Sequence, residues 1–546
     1  MATNIYALQS WTDSNGTFNA NTVYSLSDSI ANNYVRQGRA QKSDGLPMAT
    51  PVTTTNSANA NQAALLSTDA NNNSIGIVNP AGGNILNLTI KNIALKILPQ
   101  YRPSYRAVMT TPPTTTFLTT TTIVNPLLWR SETNLTVAGS SFSFFKAGSP
   151  IMDGSSYPLY NYIKFSNVNY GGGSLLANSY CVSFLHDGSE LEILVRGIIG
   201  AILVKVDDQY ISITSQIVPN DGGTYKYYIP FGSRKVRRID AIIANSTFGG
   251  INTGPNDTII PVSARGPRTI IMGDSFTEGT GANVQQLSWT GGFQDYMGWD
   301  DIWSSGVGST GYLATTGSKL KYRDRIATDV IPFNPDIVMV TGGFNDIAFT
   351  ASDLGAEATL LFQALRTGLP KALLIAVAPF TNKGISGVSK STLDKKDAIK
   401  TAILSVGGIF LDPLEMPLPL NTIPHTTTLA TSCLANATTI STSIPLLVNA
   451  TYKFSNNERF KVKSYTGAGP STITPDSTTL SAHASGEVLI QVGDSLLTGY
   501  GRVGATTGTG NSDLYVSTDG SHPSQAGHDA LGQCIGSLLI DALNKL

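Results

Sequence analysis

Short apolar runs alternate with stretches of helical spacing from Arg268 to Leu411, and this alternation constrains the fold more than any other feature. The apolar runs predict buried strands at residues 268–272, 336–341, 372–378 and 409–411. Helical spacing falls between them, at residues 352–365 and 391–404. Because strands that alternate with helices build a parallel sheet covered on both faces, we predict an α/β domain here.

Residues 126–263, which precede this domain, carry short alternating runs with a turn signal about every ten residues. Two of these runs, Tyr180 to His186 and Glu190 to Val195, are separated by the turn-forming pair Asp187-Gly188. Regularly spaced short strands of this kind are typical of a β-sandwich. We therefore predict a β-sandwich in front of the α/β domain.

A second interruption lies inside the α/β domain itself. Residues 422–499 are rich in Thr and Ser and contain strand-like runs at Ile444 to Val448 and Val488 to Val492, which predicts a β-rich insertion. The last helix is expected to begin at Pro523, because proline is favoured at the first position of a helix. The predicted α/β domain thus comprises residues 264–421 and 500–546.

Residues 1–125 form the fourth predicted region. They include a Thr/Asn/Ala-rich stretch at 53–74 and a Thr/Pro tract at 110–122, which are poor core formers. We expect a partly irregular arm that attaches the chain to other proteins.

The composition excludes several classes of protein. Net charge is −1, without the basic excess that phosphate contacts require, so no nucleic-acid partner is expected. No apolar run approaches the roughly 20 residues of a membrane span, and the first residues do not resemble a secretory signal. The three cysteines are far apart in sequence, and no metal or cofactor is expected.

One short string, Gly-Asp-Ser followed by an apolar residue, occurs twice, with its serine at Ser275 and at Ser495. Only the first copy follows a predicted α/β strand and is followed by Gly-x-Asn-Asp, ending at Asp346. An Asp-x-x-His string, Asp519 to His522, then precedes the last helix. This order makes Ser275 the predicted nucleophile, whereas Ser495 is expected to lie in a turn.

These residue types fit acyl transfer. A serine hydroxyl is a weak nucleophile unless a base takes its proton, and His522 can be that base while Asp519 fixes its tautomer. The reaction also needs donors where negative charge develops on the carbonyl oxygen. The candidate donors are the backbone N–H of Ser275, one backbone N–H of the glycine-rich loop (Gly308 or Ser309), and the side-chain amide of Asn345.

The four motifs resemble those of the SGNH (GDSL) hydrolases, over residues of about 264–420 and 500–546. The resemblance implies a flavodoxin-like three-layer α/β/α sandwich. It also implies Ser275 as nucleophile, Asn345 as oxyanion donor, and Asp519 and His522 as the other triad members. The chain departs from the family at Ser309, which stands where the family usually has the oxyanion glycine.

The expected activity is that of a serine esterase that removes O-acetyl groups from a carbohydrate. A β-sandwich in front of the catalytic domain resembles the jelly-roll modules of some SGNH carbohydrate esterases. Low charge, the Thr/Asn-rich arm and the lack of a signal peptide are similar to a bacteriophage virion protein such as a tail fibre, tailspike or head decoration. The substrate would then be a host surface polysaccharide, the arm would bind other virion proteins, and the chain would be a homo-oligomer.

Two alternatives remain open at this point. One is a lipase or thioesterase of the same family, which would need an apolar acyl groove. The other is a catalytically silent glycan-binding or structural virion protein. Among other residues, His528 lacks an acidic neighbour at triad spacing and is expected on the solvated face of the last helix, and Trp299 and Trp303 are expected in the core.

Overall fold

The computed structural model describes residues 105–129, 141–147, 179–196, 200–244, 246–283, 285–384, 387–418, 422–499 and 510–544, together with the backbone of short strands within 2–42, 149–152 and 163–166. The chain divides into two compact units, Met1–Ser67 and Thr68–Leu546. None of the described helices has the length and apolar character that crossing a membrane requires.

The first unit contains five short strands. They are β1 (Ala2–Ala7), β2 (Trp11–Asp13), β3 (Gly16–Phe18), β4 (Val23–Ser27) and β5 (Ala40–Lys42). β1 pairs antiparallel with β4 and β5, and β2 pairs with β3. The Thr/Asn/Ala-rich stretch of the predicted arm lies outside the described residues.

The second unit begins with a twelve-stranded sheet in which the described strand pairs are antiparallel. Its strands are β6 (Thr116–Leu118), β7 (Leu127–Trp129), β8 (Ser143–Phe145), β9 (Ser149–Met152), β10 (Ile163–Ser166), β11 (Ser179–Arg196), β12 (Gly200–Val206), β13 (Gln209–Tyr210), β14 (Gln216–Val218), β15 (Thr224–Ala244), β16 (Phe248–Thr253) and β17 (Thr258–Pro261). The Thr/Pro tract, expected to be part of the partly irregular arm, supplies β6, which pairs with β15.

One long strand, β11, replaces the two short strands expected at Tyr180 to His186 and at Glu190 to Val195, and it pairs with the equally long β15. The pair Asp187-Gly188 does not form a turn, because β11 runs through it and shifts register between Gly188 and Glu190. Small and polar residues such as these are typical both of a turn between two strands and of a β-bulge within one strand. At Gly188 a Cβ would lie 2.2 Å from Nε2 of His186, so only glycine fits the bulge.

The bulge bends the paired long strands, and both halves bury their side chains in one core. Val182 and Phe184 from the first half of β11 lie in the same cluster as Leu191 and Ile193 from the second half. In the described residues the region predicted as a β-sandwich is one hydrogen-bonded sheet of twelve strands. Its arrangement as a sandwich stays a prediction.

The α/β domain follows, with five parallel strands in the order β19-β18-β20-β21-β22. The strands are β18 (Thr269–Gly273), β19 (Ile302–Gly306), β20 (Ile337–Thr341), β21 (Leu373–Val377) and β22 (Ile409–Leu411). The helices are α1 (Ser275–Glu278), α2 (Trp289–Met297), α3 (Tyr322–Asp329), α4 (Ala351–Gly368), α5 (Lys390–Ser405), α6 (Ser512–Tyr515) and α7 (Gln525–Asn544), with 3₁₀ turns at Gln285–Leu287 and Ile331–Phe333.

Both faces of this sheet are covered by helices. α2 and α7 pack on one face through an apolar cluster that includes Phe293 and Leu539. α3, α4 and α5 pack on the other face, where Phe362 and Ile403 belong to a second cluster. The last helix begins at Gln525 rather than Pro523, because the chain at Pro523 still forms a β-bridge with Val516.

Residues between β22 and α6 form a six-stranded antiparallel sheet with its own apolar core around Tyr452 and Leu489. Its strands are β23 (Thr426–Thr428), β24 (Ile440–Thr442), β25 (Thr451–Lys453), β26 (Arg459–Thr466), β27 (Ser471–Pro475) and β28 (Val488–Val492). The strand expected at Ile444 to Val448 is absent from this sheet, since β24 ends at Thr442 and the chain then turns.

The twelve-stranded sheet docks on the α/β domain through a buried ionic cluster. Asp295 of α2 pairs with the Lys205 ammonium, accepts a hydrogen bond from the Tyr210 hydroxyl at 3.0 Å, and lies 3.6 Å from Nε of Arg106. The Asp295 carboxylate is 5% exposed, so its removal would leave a nearly buried ammonium without its anion.

We predict that Asp295→Ala lowers the free energy of unfolding by roughly 3 kcal/mol or more, because one partner of a buried ion pair is lost. Asp394→Ala is the matched control: its pair with Lys390 is exposed, and its loss should cost less than about 1 kcal/mol. Denaturant titration followed by circular dichroism measures both. Equal midpoints for the two variants would contradict the buried contact.

Candidate active site

Ser275 is the first residue of α1, directly after strand β18. Asp274 caps this helix, and its side chain accepts a hydrogen bond from the N–H of Phe276 at 3.0 Å. A Cβ at Gly273 would lie 2.1 Å from Oγ1 of Thr277, so glycine is needed for the tight strand-to-helix turn. The turn presents the Ser275 hydroxyl at the carboxyl edge of the sheet, where open α/β sheets place their sites.

The structure brings Ser275, His522 and Asp519 into one hydrogen-bonded chain. Nε2 of His522 lies 2.7 Å from Oγ of Ser275, and Nδ1 of His522 lies 2.6 Å from Oδ2 of Asp519. These distances suit a serine whose proton passes to an imidazole held by a carboxylate.

Asp519 is held as an anion by its own loop. Partial burial pushes the pKa of the Asp519 carboxyl up, but the N–H of Ser521, the His522 ring and the Ser517 hydroxyl all donate to it and hold the pKa well below its usual range. An ionised Asp519 can stabilise His522 once the imidazole gains a proton.

Two further contacts fix the loop that carries His522. The side-chain amide of Asn382 donates to the carbonyl of Gly520 at 2.8 Å, and the N–H of Ser517 donates to the carbonyl of His522 at 2.7 Å. The His522 ring also packs on Phe276, with 5.2 Å between ring centroids. The orientation of His522 is therefore set both by the hydrogen bonds of its loop and by the packing of its ring.

Asn345 and the glycine-rich loop lie against each other. Nδ2 of Asn345 donates to the carbonyl of Thr310 at 2.9 Å, which uses one of its two amide hydrogens. Asp346 accepts from the backbone N–H groups of Tyr312, Leu313 and Ala314 at 3.0, 2.9 and 2.8 Å. The Gly-x-Asn-Asp motif thus fastens the loop with its aspartate and leaves one asparagine hydrogen for a ligand.

Of the two loop residues proposed as oxyanion donors, Gly308 is already engaged. Its N–H donates to Oε2 of Glu278 at 2.9 Å, and this contact distinguishes the two candidates that the sequence left open. Ser309 is exposed and has φ of +66°, in the left-handed region that glycine adopts without strain. That backbone angle is a physical reason for the glycine expected at this position.

Comparison with known proteins bears on this site. Residues 271–416 match the GDSL-like Lipase/Acylhydrolase family. The chain contains a GDSL-like acylhydrolase domain. The matched range includes Ser275 and Asn345 but ends before Asp519 and His522, which the fold brings to the serine.

Several solved structures resemble parts of the chain. A carbohydrate esterase family 2 enzyme with a carbohydrate binding domain from Corynascus thermopiles (Myceliophthora fergusii) is 15% identical, with a TM-score of 0.35, over 50% of this chain and 89% of that one. A salicylyl-acyltransferase from a tetracycline biosynthetic pathway is 10% identical, with a TM-score of 0.40, over 55% and 88%. An acetyl xylan esterase from the rumen bacterium Butyrivibrio proteoclasticus is 12% identical, with a TM-score of 0.33, over 48% and 89%. No curated protein matches, and none of these likenesses bears on the substrate.

Sequence reasoning missed Glu278 and Lys319 of the GDSL-like domain. Glu278 follows Ser275 by three residues and therefore shares its face of α1. Lys319 donates from its ammonium to the carbonyl of Gly308 at 3.0 Å. The three-residue spacing was a signal for Glu278, whereas nothing local marks Lys319.

The second Gly-Asp-Ser copy has no catalytic partners among the described residues. The Ser495 hydroxyl donates to the carbonyl of Leu497, and the carboxylate of Asp494 accepts from Lys461 at 2.6 Å and from Thr451 at 3.1 Å. Ser495 therefore lies in an irregular segment of the insertion, just before a bend at Leu496 and Leu497. Within the described ranges, no group of three or more His, Cys, Asp and Glu side chains is arranged to hold a metal ion.

His528 is buried, not solvated as expected from the sequence. Its Nδ1 accepts from the N–H of Trp289 at 3.1 Å, and Nε2 lies 3.0 Å from the carbonyl of Thr280, so the ring joins α7 to α2 and to the segment after α1. Burial lowers the pKa of His528 to about 4. Trp299 and Trp303 lie in the core, as expected.

We predict that the folded domain loses stability as pH falls from about 6.5 toward 4, because His528 is protonated in the unfolded chain but remains neutral when folded. The full loss is about 3 kcal/mol, from a pKa near 6.5 unfolded and about 4 folded. Unfolding free energies measured at pH 7 and pH 4.5 for the wild type and for His528→Gln test this. The difference between the two proteins should shrink at the lower pH, and a constant difference would contradict the assignment.

Proposed function

We propose that the protein is a serine ester hydrolase that works through an acyl-enzyme. The observation that carries this is the hydrogen-bonded chain from Ser275 through His522 to Asp519. His522 takes the proton of Ser275 as Oγ bonds to the ester carbonyl carbon. The tetrahedral intermediate collapses with cleavage of the bond to the alcohol oxygen, which receives the proton from Nε2 of His522.

Deacylation follows the same path in reverse. A water molecule gives its proton to His522 and attacks the acyl carbon, and the bond to Oγ of Ser275 breaks as the hydroxyl regains its proton. Asp519 carries a full negative charge throughout and stabilises the imidazolium in both steps. The N–H of Ser275, which as the first residue of a helix has no partner within it, and the second amide hydrogen of Asn345 are donors for the oxyanion.

For the substrate we propose an O-acetylated carbohydrate. The triad is accessible, with side-chain exposures of 20% for His522 and 44% for Asp519, as a site must be if it receives short acyl groups carried on a polymer. Asp295 fixes the β-rich domain to the catalytic domain. A glycan bound to the β-rich domain would therefore keep a constant position relative to the triad.

The biological setting is part of the same proposal. We place the protein on a bacteriophage particle, as a homo-oligomer that binds other virion proteins through its N-terminal region and deacetylates a host polysaccharide. Support comes from the 13% share of charged residues, about half of the usual roughly 25%, and from the Thr/Asn-rich stretch near the N-terminus. Acetate release from purified capsules would identify the natural substrate.

A lipase or thioesterase is the second candidate, and one observation favours it. An apolar pocket lies beside the triad loop, between Ser521 and Pro523 on one side and Phe276 on the other. Its walls are apolar and include Leu414 and Leu496, the latter from the end of the insertion. Apolar walls beside the triad favour an acyl group over a polar one.

We predict that the wild-type protein hydrolyses p-nitrophenyl acetate and that Ser275→Ala lowers kcat by at least about 10³-fold, because the nucleophile is lost. Ser495→Ala is the matched control, since it removes the serine of the same string outside the triad, and it should keep wild-type activity. Equal rates for the wild type and Ser275→Ala would refute the proposed function.

The two candidate functions differ in their preference for acyl length. If the substrate is O-acetylated carbohydrate, kcat/KM should fall from acetyl to octanoyl esters, because the apolar cavity is then not used. A rise of about tenfold or more toward octanoyl, at roughly 0.8 kcal/mol for each buried methylene, would favour the lipase or thioesterase. Leu414→Trp, which fills the cavity, should reduce only that rise.

A further inference from the structure

Glu278 and Lys319 contact the same residue of the glycine-rich loop from opposite ends. Oε2 of Glu278 accepts from the N–H of Gly308 at 2.9 Å, and Nζ of Lys319 donates to the carbonyl of Gly308 at 3.0 Å. Each contact fixes one of the two peptide groups that flank Gly308. No step of the hydrolysis described above uses either side chain.

The loop is built to admit the Glu278 side chain. A Cβ on Gly306 would lie 2.0 Å from the N of Glu278, and a Cβ on Gly308 would lie 2.6 Å from its Oε2. The same Cβ on Gly308 would be 3.5 Å from Cβ of Ser275, so this contact lies next to the nucleophile. Gly308 leaves space for the carboxylate, whereas Gly306 lets the backbone of α1 lie close to the loop.

The two contacts determine which loop N–H is open to a ligand. The N–H of Gly308 is used by Glu278 and cannot serve an oxyanion as well. In a planar trans peptide the C=O and N–H point in opposite directions, so holding the Gly308 carbonyl toward Lys319 turns the N–H of Ser309 away from Lys319. Among the described residues that N–H has no backbone acceptor, and Ser309 is exposed.

We propose that Glu278 and Lys319 are positioning residues that clamp both peptide groups of Gly308 and so hold the N–H of Ser309 as the loop's oxyanion donor. The inference rests on the proposed serine hydrolysis and names a donor and two residues that act through it. The opposite charges of the clamp also offset each other, so the Glu278 carboxylate does not repel the developing oxyanion.

The test is steady-state hydrolysis of p-nitrophenyl acetate by Glu278→Ala, Glu278→Gln, Lys319→Ala and Lys319→Arg. Each alanine variant should lower kcat by about 10- to 100-fold with KM nearly unchanged, because a misplaced donor weakens only the transition state. Glu278→Gln should recover most of the loss, since its amide oxygen still accepts from Gly308, and Lys319→Arg should recover part of it.

Lys321→Ala is the matched control. Lys321 lies two residues beyond Lys319 and pairs with Glu357, which keeps Arg323 as a second partner. The double variant Glu278→Ala/Lys319→Ala should lose less than the product of the single losses, because both residues hold one loop. Melting temperatures of all variants separate a positioning role from a loss of folded protein.

Several outcomes would contradict the proposed clamp. A wild-type kcat in both Glu278→Ala and Lys319→Ala would overturn it. A loss of kcat that Glu278→Gln and Lys319→Arg do not recover, and that parallels a fall in melting temperature, would also overturn it. A rise in KM with an unchanged kcat would also overturn it, since that pattern indicates a role in substrate binding. If the wild type and Ser275→Ala are equally inactive, the proposed function itself falls, and this result is distinct from an active wild type with unaffected clamp variants.

Discussion

The hydrogen bond between His522 and Ser275 joins positions 247 residues apart, and the arrangement of the α/β domain depends on making it. Ser275 is positioned by the interior strand β18, whereas His522 precedes α7, the last helix of the chain. α7 must therefore dock closely on α2. It does so at a pair of glycines: a Cβ on Gly532 would lie 2.7 Å from the backbone of Gly292, so at this point the two helices meet backbone to backbone.

The insertion has to respect the same constraint. It leaves the domain after β22 and returns before α6, and its return is tied to the loop after β21 by a hydrogen bond from the N–H of Gly384 to the carbonyl of Gly499 at 2.7 Å. A second tie runs from Asn382 of that loop to Gly520, beside the base. The insertion therefore adds its six-stranded sheet without changing the order of the parallel sheet.

The sequence predicted features that depend on neighbouring residues and missed those that depend on distant ones. The strands at 337–341 and 409–411 carry continuous apolar runs because both faces of the sheet are covered, and such runs are visible locally. Motif order alone grouped Ser275, Asp519 and His522. By contrast, the polarity around His528 gives no sign that Trp289 and Thr280 enclose it, and Asp187-Gly188 has the same composition in a bulge as in a turn.

The glycine-rich loop has a consequence for recognising related chains. Gly308 is small because the Glu278 carboxylate lies beside it, and Gly306 is small because the backbone of α1 lies beside it, while position 309 needs only a backbone that tolerates a positive φ. A motif search that demands glycine at position 309 would pass over this chain. One that demands small residues at positions 306 and 308, together with glutamate one helical turn after the serine, would find chains that share its loop architecture.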